Sequence, residues 1–341
     1  MALSPTRRIA GLVAAAAFVL SACSSSGGGA ATTAASAPAA SAPAESAAAS
    51  GAASPAAGGA VKLGVAFPNS DTFLSRVQDG MKAKATELGA EITITDAKDD
   101  TQAQLTQVEN FISQGVSAII VVPVDTSAAQ PMADAAKAAN IPLVFVNRNP
   151  SIAGVPYVGS DSLYAGTVEM EELAKLAGGK GDVVILQGQV TNEAAVLRTQ
   201  GCNDVVGKNP GMKVVATQAG DWDRAKGQAI AENWIQSGTL KEGMVICANN
   251  DEMALGAINA LKAANLLDKV FVGGVDATSE ALAAMQAGDL EVTVFQDAKG
   301  QGNGGVQAAV DLVNGKTVND LVDIPYQLVT PANINDFLGA N

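Results

Sequence analysis

The 341-residue chain contains no histidine. That absence excludes a Ser-His-Asp triad, a Cys-His nucleophile pair and the common histidine-bearing zinc sites. Positive charge is scarce: 21 Lys and Arg face 34 Asp and Glu, a net charge of −13. An acidic surface disfavours nucleic acid and anionic lipid as partners. Aromatics are 4% of the residues and cysteines number three, Cys23, Cys202 and Cys247. After Cys23 no uncharged apolar run reaches the length of a bilayer span.

What is there begins with a processing signal. Arg7 and Arg8 precede an apolar stretch, Ile9 to Leu20, that is too short for a comfortable membrane span. Leu20-Ser21-Ala22-Cys23 follows at once, the pattern of a bacterial lipobox in which the cysteine is acylated and becomes the new N-terminus. Residues 1–22 are therefore expected to be a lipoprotein signal peptide and Cys23 the lipidation site. Residues 23–60 are almost wholly Ser, Ala, Gly, Pro and Thr, with Glu45 the one charge. Such a segment has too few large apolar groups to offset its ordering entropy, and it reads as a disordered tether with a reach of roughly 30–35 Å. Cys202 and Cys247 could pair in an oxidising compartment or stay as buried thiols.

From Val61 onward strand-like apolar runs alternate with helical patterns. Val61–Phe67, Glu91–Thr95, Ala118–Val122, Pro142–Val146 and Tyr157–Gly159 read as strands, with helices near 72–88, 101–114 and 127–139. The scheme repeats with strands at Asp182–Gln187, Lys213–Thr217, Met244–Cys247, Val270–Val275 and Glu291–Phe295. Its helices lie near 164–177, 192–207, 223–237, 252–264, 279–287 and 299–314. Ile119–Val122 and Val144–Val146 are apolar on both faces, as parallel strands covered by helices must be. The predicted class is α/β, with two doubly wound parallel-sheet lobes.

Ligands of such sheets sit beyond the carboxyl ends of the strands. The loops in those places carry Asp71, Phe73, Asn147, Arg148, Asn192, Arg198, Trp222, Asn250, Asp276 and Gln296. Amide, carboxylate and guanidinium groups present paired atoms to adjacent hydroxyls, and aromatic rings offer planes to the C–H faces of a sugar ring. Any one of these residues, Asp71 or Asn250 above all, could be no more than a helix cap. The signal is the set.

Asn250-Asp251-Glu252-Met253-Ala254-Leu255-Gly256-Ala257 resembles the segment after a C-domain strand in ribose-type periplasmic binding proteins. Asp71-Thr72-Phe73-Leu74, Gly220-Asp221-Trp222-Asp223-Arg224, Gly273-Gly274-Val275-Asp276 and Phe295-Gln296 recur in the same order and spacing. The resemblance covers roughly 61–330. It implies a type I Venus flytrap fold whose lobes are joined by a three-strand hinge: 61–160 plus 297–325, and 161–296 plus 326–341. It places the pocket on Asp71, Phe73, Asn147, Arg148, Arg198, Trp222, Asn250, Asp276 and Gln296. Asn147 stands where the ribose-type pattern has Asp, Trp222 where it has Phe, and Leu74 where it has a second aromatic. Val146-Asn147-Arg148-Asn149-Pro150, Asn233-Trp234 and Val294-Phe295-Gln296-Asp297 look more like the inositol- or rhizopine-binding branch.

The resemblance thus implies a lipid-anchored, extracytoplasmic substrate-binding protein of an ABC importer. Its expected partners are a monosaccharide or cyclitol, the ABC permease with its ATPase, and the membrane through Cys23. Neither cofactor, metal nor reaction is expected, and the protein should be a monomer. Presentation of ligand to a membrane sensor kinase is the alternative. Gly300-Gln301-Gly302-Asn303-Gly304-Gly305 fits a dinucleotide fingerprint, but too little chain follows it to complete that fold. Gly315-Lys316-Thr317 fails as a P-loop because position 310 is Val. A sugar-responsive repressor would carry a helix-turn-helix where this chain carries the lipobox and tether.

Overall fold

The computed structural model describes residues 59–340. Cys23, the signal and most of the tether lie outside that range. The first sheet contains β1 (Lys62–Phe67), β2 (Glu91–Asp96), β3 (Ala118–Val121), β4 (Leu143–Val146), β5 (Tyr157–Gly159) and β11 (Leu321–Asp323). It is parallel throughout, in the order β11-β5-β4-β3-β1-β2. The second sheet has β6 (Lys180–Gln187), β7 (Gly211–Ala219), β8 (Val245–Ala248) and β9 (Phe271–Gly273) in the order β7-β6-β8-β9. Bridges at Gly273–Val292 and Asp276–Phe295 continue it into an antiparallel pair, β10 (Thr293–Phe295) with β12 (Gln327–Val329).

Both sheets therefore run in the doubly wound order 2-1-3-4-5, and each has its switch point beside its first strand. Buried hydrophobes explain why the order is stable. β3 and β4 are buried along their whole length, so helices must cover both faces. One face of the first sheet packs against α1 (Thr72–Leu88) and α9 (Ala298–Val313), through Val77, Met81 and Val306. The other face meets α2 (Thr101–Ser113) and α3 (Gln130–Ala138), through Phe111 and Met132. The second sheet is likewise sandwiched. On one side lie α4 (Ser162–Leu176) and α5 (Glu193–Lys208), on the other α6 (Arg224–Gln236), α7 (Asp251–Ala263) and α8 (Ser279–Ala287). The chain passes between the sheets after β5, after β10 and after β11.

Acidic residues serve the helix starts. Asp71, Asp100, Asp161, Asp223 and Asp297 each accept backbone N–H bonds as caps, each worth about 1 kcal/mol over Ala. The helix expected from 127 begins later: a 3-10 turn at Thr126–Ala128, capped by Asp125, precedes α3, whose first turn holds Pro131. A proline is tolerated in a first turn, where its missing N–H has no partner to lose. β11 and β12 are three-residue strands that periodicity does not pick out.

Cys202 of α5 and Cys247 of β8, both fully buried, form a disulfide. Closing a loop of 45 residues constrains the unfolded chain by roughly 4 kcal/mol in the loop-entropy account. No helix among the described residues is long and apolar enough to cross a membrane.

Candidate functional site

At the carboxyl ends of both sheets the loops enclose a cleft of about 330 Å³. All nine of the residues predicted from sequence line it: Asp71, Phe73, Asn147, Arg148, Arg198, Trp222, Asn250, Asp276 and Gln296. Asn192, Thr278 and the Arg224–Glu252 pair line it as well. The first lobe supplies Asp71 and Phe73 from the β1–α1 loop and Asn147 and Arg148 from the end of β4. The second supplies Arg198 from α5, Trp222 from the β7–α6 loop, Asn250 after β8, and Asp276 and Gln296 after β9 and β10.

Capping and lining prove to be compatible. Asp71 Oδ1 accepts from Leu74 N–H at 2.7 Å and Asn250 Oδ1 from Met253 N–H at 3.1 Å. Each cap fixes its side chain at the cleft wall. Asn147 sits in the left-handed region at φ 66°, which Asn tolerates better than most residues. Its Nδ2 donates to Gln301 Oε1 at 2.9 Å, so one end of the amide is spent on the scaffold. Arg148 is 4% exposed and donates from Nη1 to Pro123 O at 2.8 Å. Burial pulls its guanidinium down, and Asp71 and Asp99 pull it back up.

Arg198 is held by a fan of hydrogen bonds. Nη1 donates to Asn249 O at 2.6 Å, and Nη2 to Gln296 Oε1 at 2.8 Å and Tyr326 OH at 2.6 Å. Its Nε has no protein partner. The guanidinium lies 5.6 Å from the Trp222 ring centroid and 5.5 Å from that of Tyr326, within cation–π range. Trp222 is half-buried, with φ 68°. Its ring lies over Gly188 so closely that a Cβ there would overlap the indole, which is why position 188 has no side chain. Trp222 Nε1–H donates to Asn192 Oδ1 at 2.9 Å.

The lobes touch beside the cleft. Asn192 Nδ2 donates to Val124 O at 3.0 Å, and the N–H and hydroxyl of Thr126 both reach Thr191 O, at 3.2 and 3.1 Å. At the rim Arg76 Nη2 donates to Ser279 Oγ at 3.1 Å. Arg224 pairs with Glu252 at 2.7 Å and Glu280 at 2.6 Å. These rim charges are partly exposed and worth at most about 1 kcal/mol.

Burial governs the carboxyls. It pushes Asp276 well above the usual carboxylate range, against the pull of Arg198, and it raises Asp71 against the Leu74 N–H. Under the cleft, Asp251 accepts from Thr293 Oγ1 at 2.7 Å and Thr278 N–H at 2.8 Å, and burial still lifts it to about 7. Glu291, which accepts from Val272 N–H, is likewise lifted to about 7. The unfolded chain has ordinary values near 4 for these groups. The folded chain therefore holds their protons more tightly. For Asp251 and Glu291 the contribution to stability is full below about pH 4 and is lost as pH rises through about 7. We expect the melting temperature to rise by roughly 2–5 °C between pH 7.5 and pH 5, and Glu291→Gln to flatten part of that slope. A wild-type melting temperature that falls over that interval contradicts the assignment.

The cluster of Glu169, Cys202 and Cys247 has metal-ligand spacing. Its two sulfurs are spent in the disulfide, so the thiolates that metal binding needs are missing. Sequence reasoning passed over Tyr326, whose hydroxyl and ring hold Arg198, and it did not assign Asn192 to the pocket. Asn192 stood among the strand-end polar residues, but its partner Val124 belongs to the other lobe.

Residues 63–317 match the family described as periplasmic binding protein domain. A putative rhizopine-binding protein of Rhizobium meliloti is 44% identical over 280 residues, covering 80% of this chain and 90% of that protein. The ribose import binding protein of Bacillus subtilis is 31% identical, covering 79% and 87%. The crystal structure of an ABC transporter solute binding protein from Bacillus halodurans with bound myo-inositol superposes with a TM-score of 0.80 at 43% identity, covering 83% of this chain and 99% of that one.

Proposed function

Because the chain belongs to the periplasmic binding protein family, we propose that it is the extracytoplasmic substrate-binding protein of an ABC importer, capturing a cyclitol or monosaccharide between its lobes. The observation that carries this reading is the convergence of nine polar and aromatic side chains, from both lobes, on one cleft. A volume of about 330 Å³ lies at the small end of the roughly 300–1,000 Å³ range of ligand pockets. It suits one sugar-sized ring. Carboxylate, amide and guanidinium groups offer donors and acceptors to ring hydroxyls, and Phe73 and Trp222 offer planes to the ring faces. The putative rhizopine-binding protein and the Bacillus halodurans protein with bound myo-inositol, at 44% and 43% identity against 31% for the Bacillus subtilis ribose binder, favour a cyclitol.

The mechanism is a binding cycle. Ligand bonds to one wall, and closure adds the bonds of the other. Those extra bonds, about 1 kcal/mol or more each, draw the open–shut equilibrium toward the shut form. The shut form docks on the permease. In this reading 61–160 with 297–325 form one lobe and 161–296 with 326–341 the other, and the third crossover, at Tyr326, is part of the pivot. Asp71 and Asp276 bind hydroxyls, and no reaction is assigned to them. Acylated Cys23 and the tether keep the protein at the outer face of the membrane. Cys23→Ser should release it into the soluble fraction.

A thermal-shift screen of monosaccharides and cyclitols tests the proposal. A true ligand at a thousand times its Kd adds about 4 kcal/mol to stability, a shift of many degrees. The proposal fails if no polyol moves the melting point.

Selectivity rests on Asn147 in this reading, since its Nδ2 keeps a second N–H beyond the one given to Gln301 Oε1, where Asp only accepts. Asn147→Asp is expected to reorder the ranking of polyols by tenfold or more between the best cyclitol and ribose, read by calorimetry. An unchanged ranking removes Asn147 from that role.

A further inference from the structure

Asn192 stands immediately before α5, in the place of its N-cap, yet its side chain makes no cap bond. Asn is among the best capping residues, and an unused cap forgoes about 1 kcal/mol. The amide is 1% exposed and serves another purpose. Its Oδ1 accepts from Trp222 Nε1–H at 2.9 Å, and its Nδ2 donates to Val124 O at 3.0 Å. Trp222 and Asn192 belong to the second lobe, Val124 to the loop after β3 in the first. The same Val124 carbonyl lies 3.4 Å from Arg148 Nη1. A chain of contacts thus runs from Arg148 on one wall, through Val124 and Asn192, to the indole on the other.

We infer that Asn192 is a positioning residue that couples the seating of the Trp222 ring to lobe closure. When the lobes part, Val124 O withdraws and Asn192 Nδ2 loses its acceptor. The amide is then free to turn, and the indole N–H loses a fixed partner. A ring stacked on Trp222 holds the indole, the indole holds Asn192, and Asn192 is held ready to meet Val124. Thr126 and Thr191 meet beside it and set the approach of the two loops. Asn192 acts on the open–shut equilibrium through Trp222. This rests on the binding-protein reading above.

Stopped-flow tryptophan fluorescence with myo-inositol as the probe tests the inference, alongside small-angle scattering of the ligand-free protein. Trp234, buried in the core, gives a constant background to the Trp222 signal. Asn192→Ala should raise koff about tenfold, leave kon within twofold, and shift the emission of Trp222. Asn192→Asp keeps the acceptor for the indole and removes the donor to Val124. It should retain the emission and still dissociate faster. Thr126→Val removes a cross-lobe bond that does not involve Trp222, and its emission should match wild type. Ligand-free Asn192→Ala should have a larger radius of gyration than wild type. Equal radii, a wild-type koff in Asn192→Ala, or a loss carried by kon overturns the inference. Wild-type protein that binds no polyol refutes the proposed function instead, and the scattering comparison still decides the role of Asn192.

Discussion

Arg198→Leu is expected to weaken polyol binding by at least a hundredfold and to lower the melting temperature. The guanidinium is 4% exposed and donates to Asn249 O, Gln296 Oε1 and Tyr326 OH. Leucine fills part of the volume and leaves those acceptors in place. Each buried acceptor left without its donor costs about 1–3 kcal/mol, and Asp276 loses the cation that offsets its burial. Two cation–π contacts go with it. Arg198→Lys restores the charge but not the fork that reaches several acceptors at once, so it should recover only part of the affinity. Calorimetry gives the affinity and a thermal melt the stability. Affinity within threefold of wild type for Arg198→Leu would show that the guanidinium serves the scaffold alone.

Trp222→Ala should raise Kd between ten- and a hundredfold while changing the melting temperature little. The ring is half-buried and packs against the edge of the second lobe's core, so its removal opens space at the cleft wall rather than deep in the core. What is lost is the apolar plane, the contact with Arg198 and the N–H bond to Asn192. Gly188→Ala should act in the same direction by a different route, because the added methyl occupies the space under the indole and drives it off its seat. Trp222→Phe keeps a plane and loses the N–H bond to Asn192, so its loss should be intermediate. Unchanged calorimetric affinity in Trp222→Ala refutes the stacking role.

The lobes were legible in the sequence because buried parallel strands cannot alternate. Ile119–Val122 and Val144–Val146 had to be covered on both faces, and they are. The cleft was legible because the doubly wound order sends its loops to one end of each sheet, and polar residues cluster there. Asn192 was half-legible: its place before a helix reads as a cap, and only the fold shows a carbonyl 68 positions away taking its N–H. Tyr326 gave no signal, since it lies between two three-residue strands with no period to read. The pairing of Cys202 with Cys247 depends on how α5 is laid against β8, which composition does not encode.

That covalent strap has a practical consequence for anyone preparing the protein. It joins the helix that carries Arg198 to the strand that leads into Asn249 and Asn250, and so ties two parts of the far wall together. Material made in a reducing cytosol would arrive unstrapped, and its dissociation rates would describe a looser molecule than the exported one. Free-thiol titration of each batch should therefore accompany every affinity measurement.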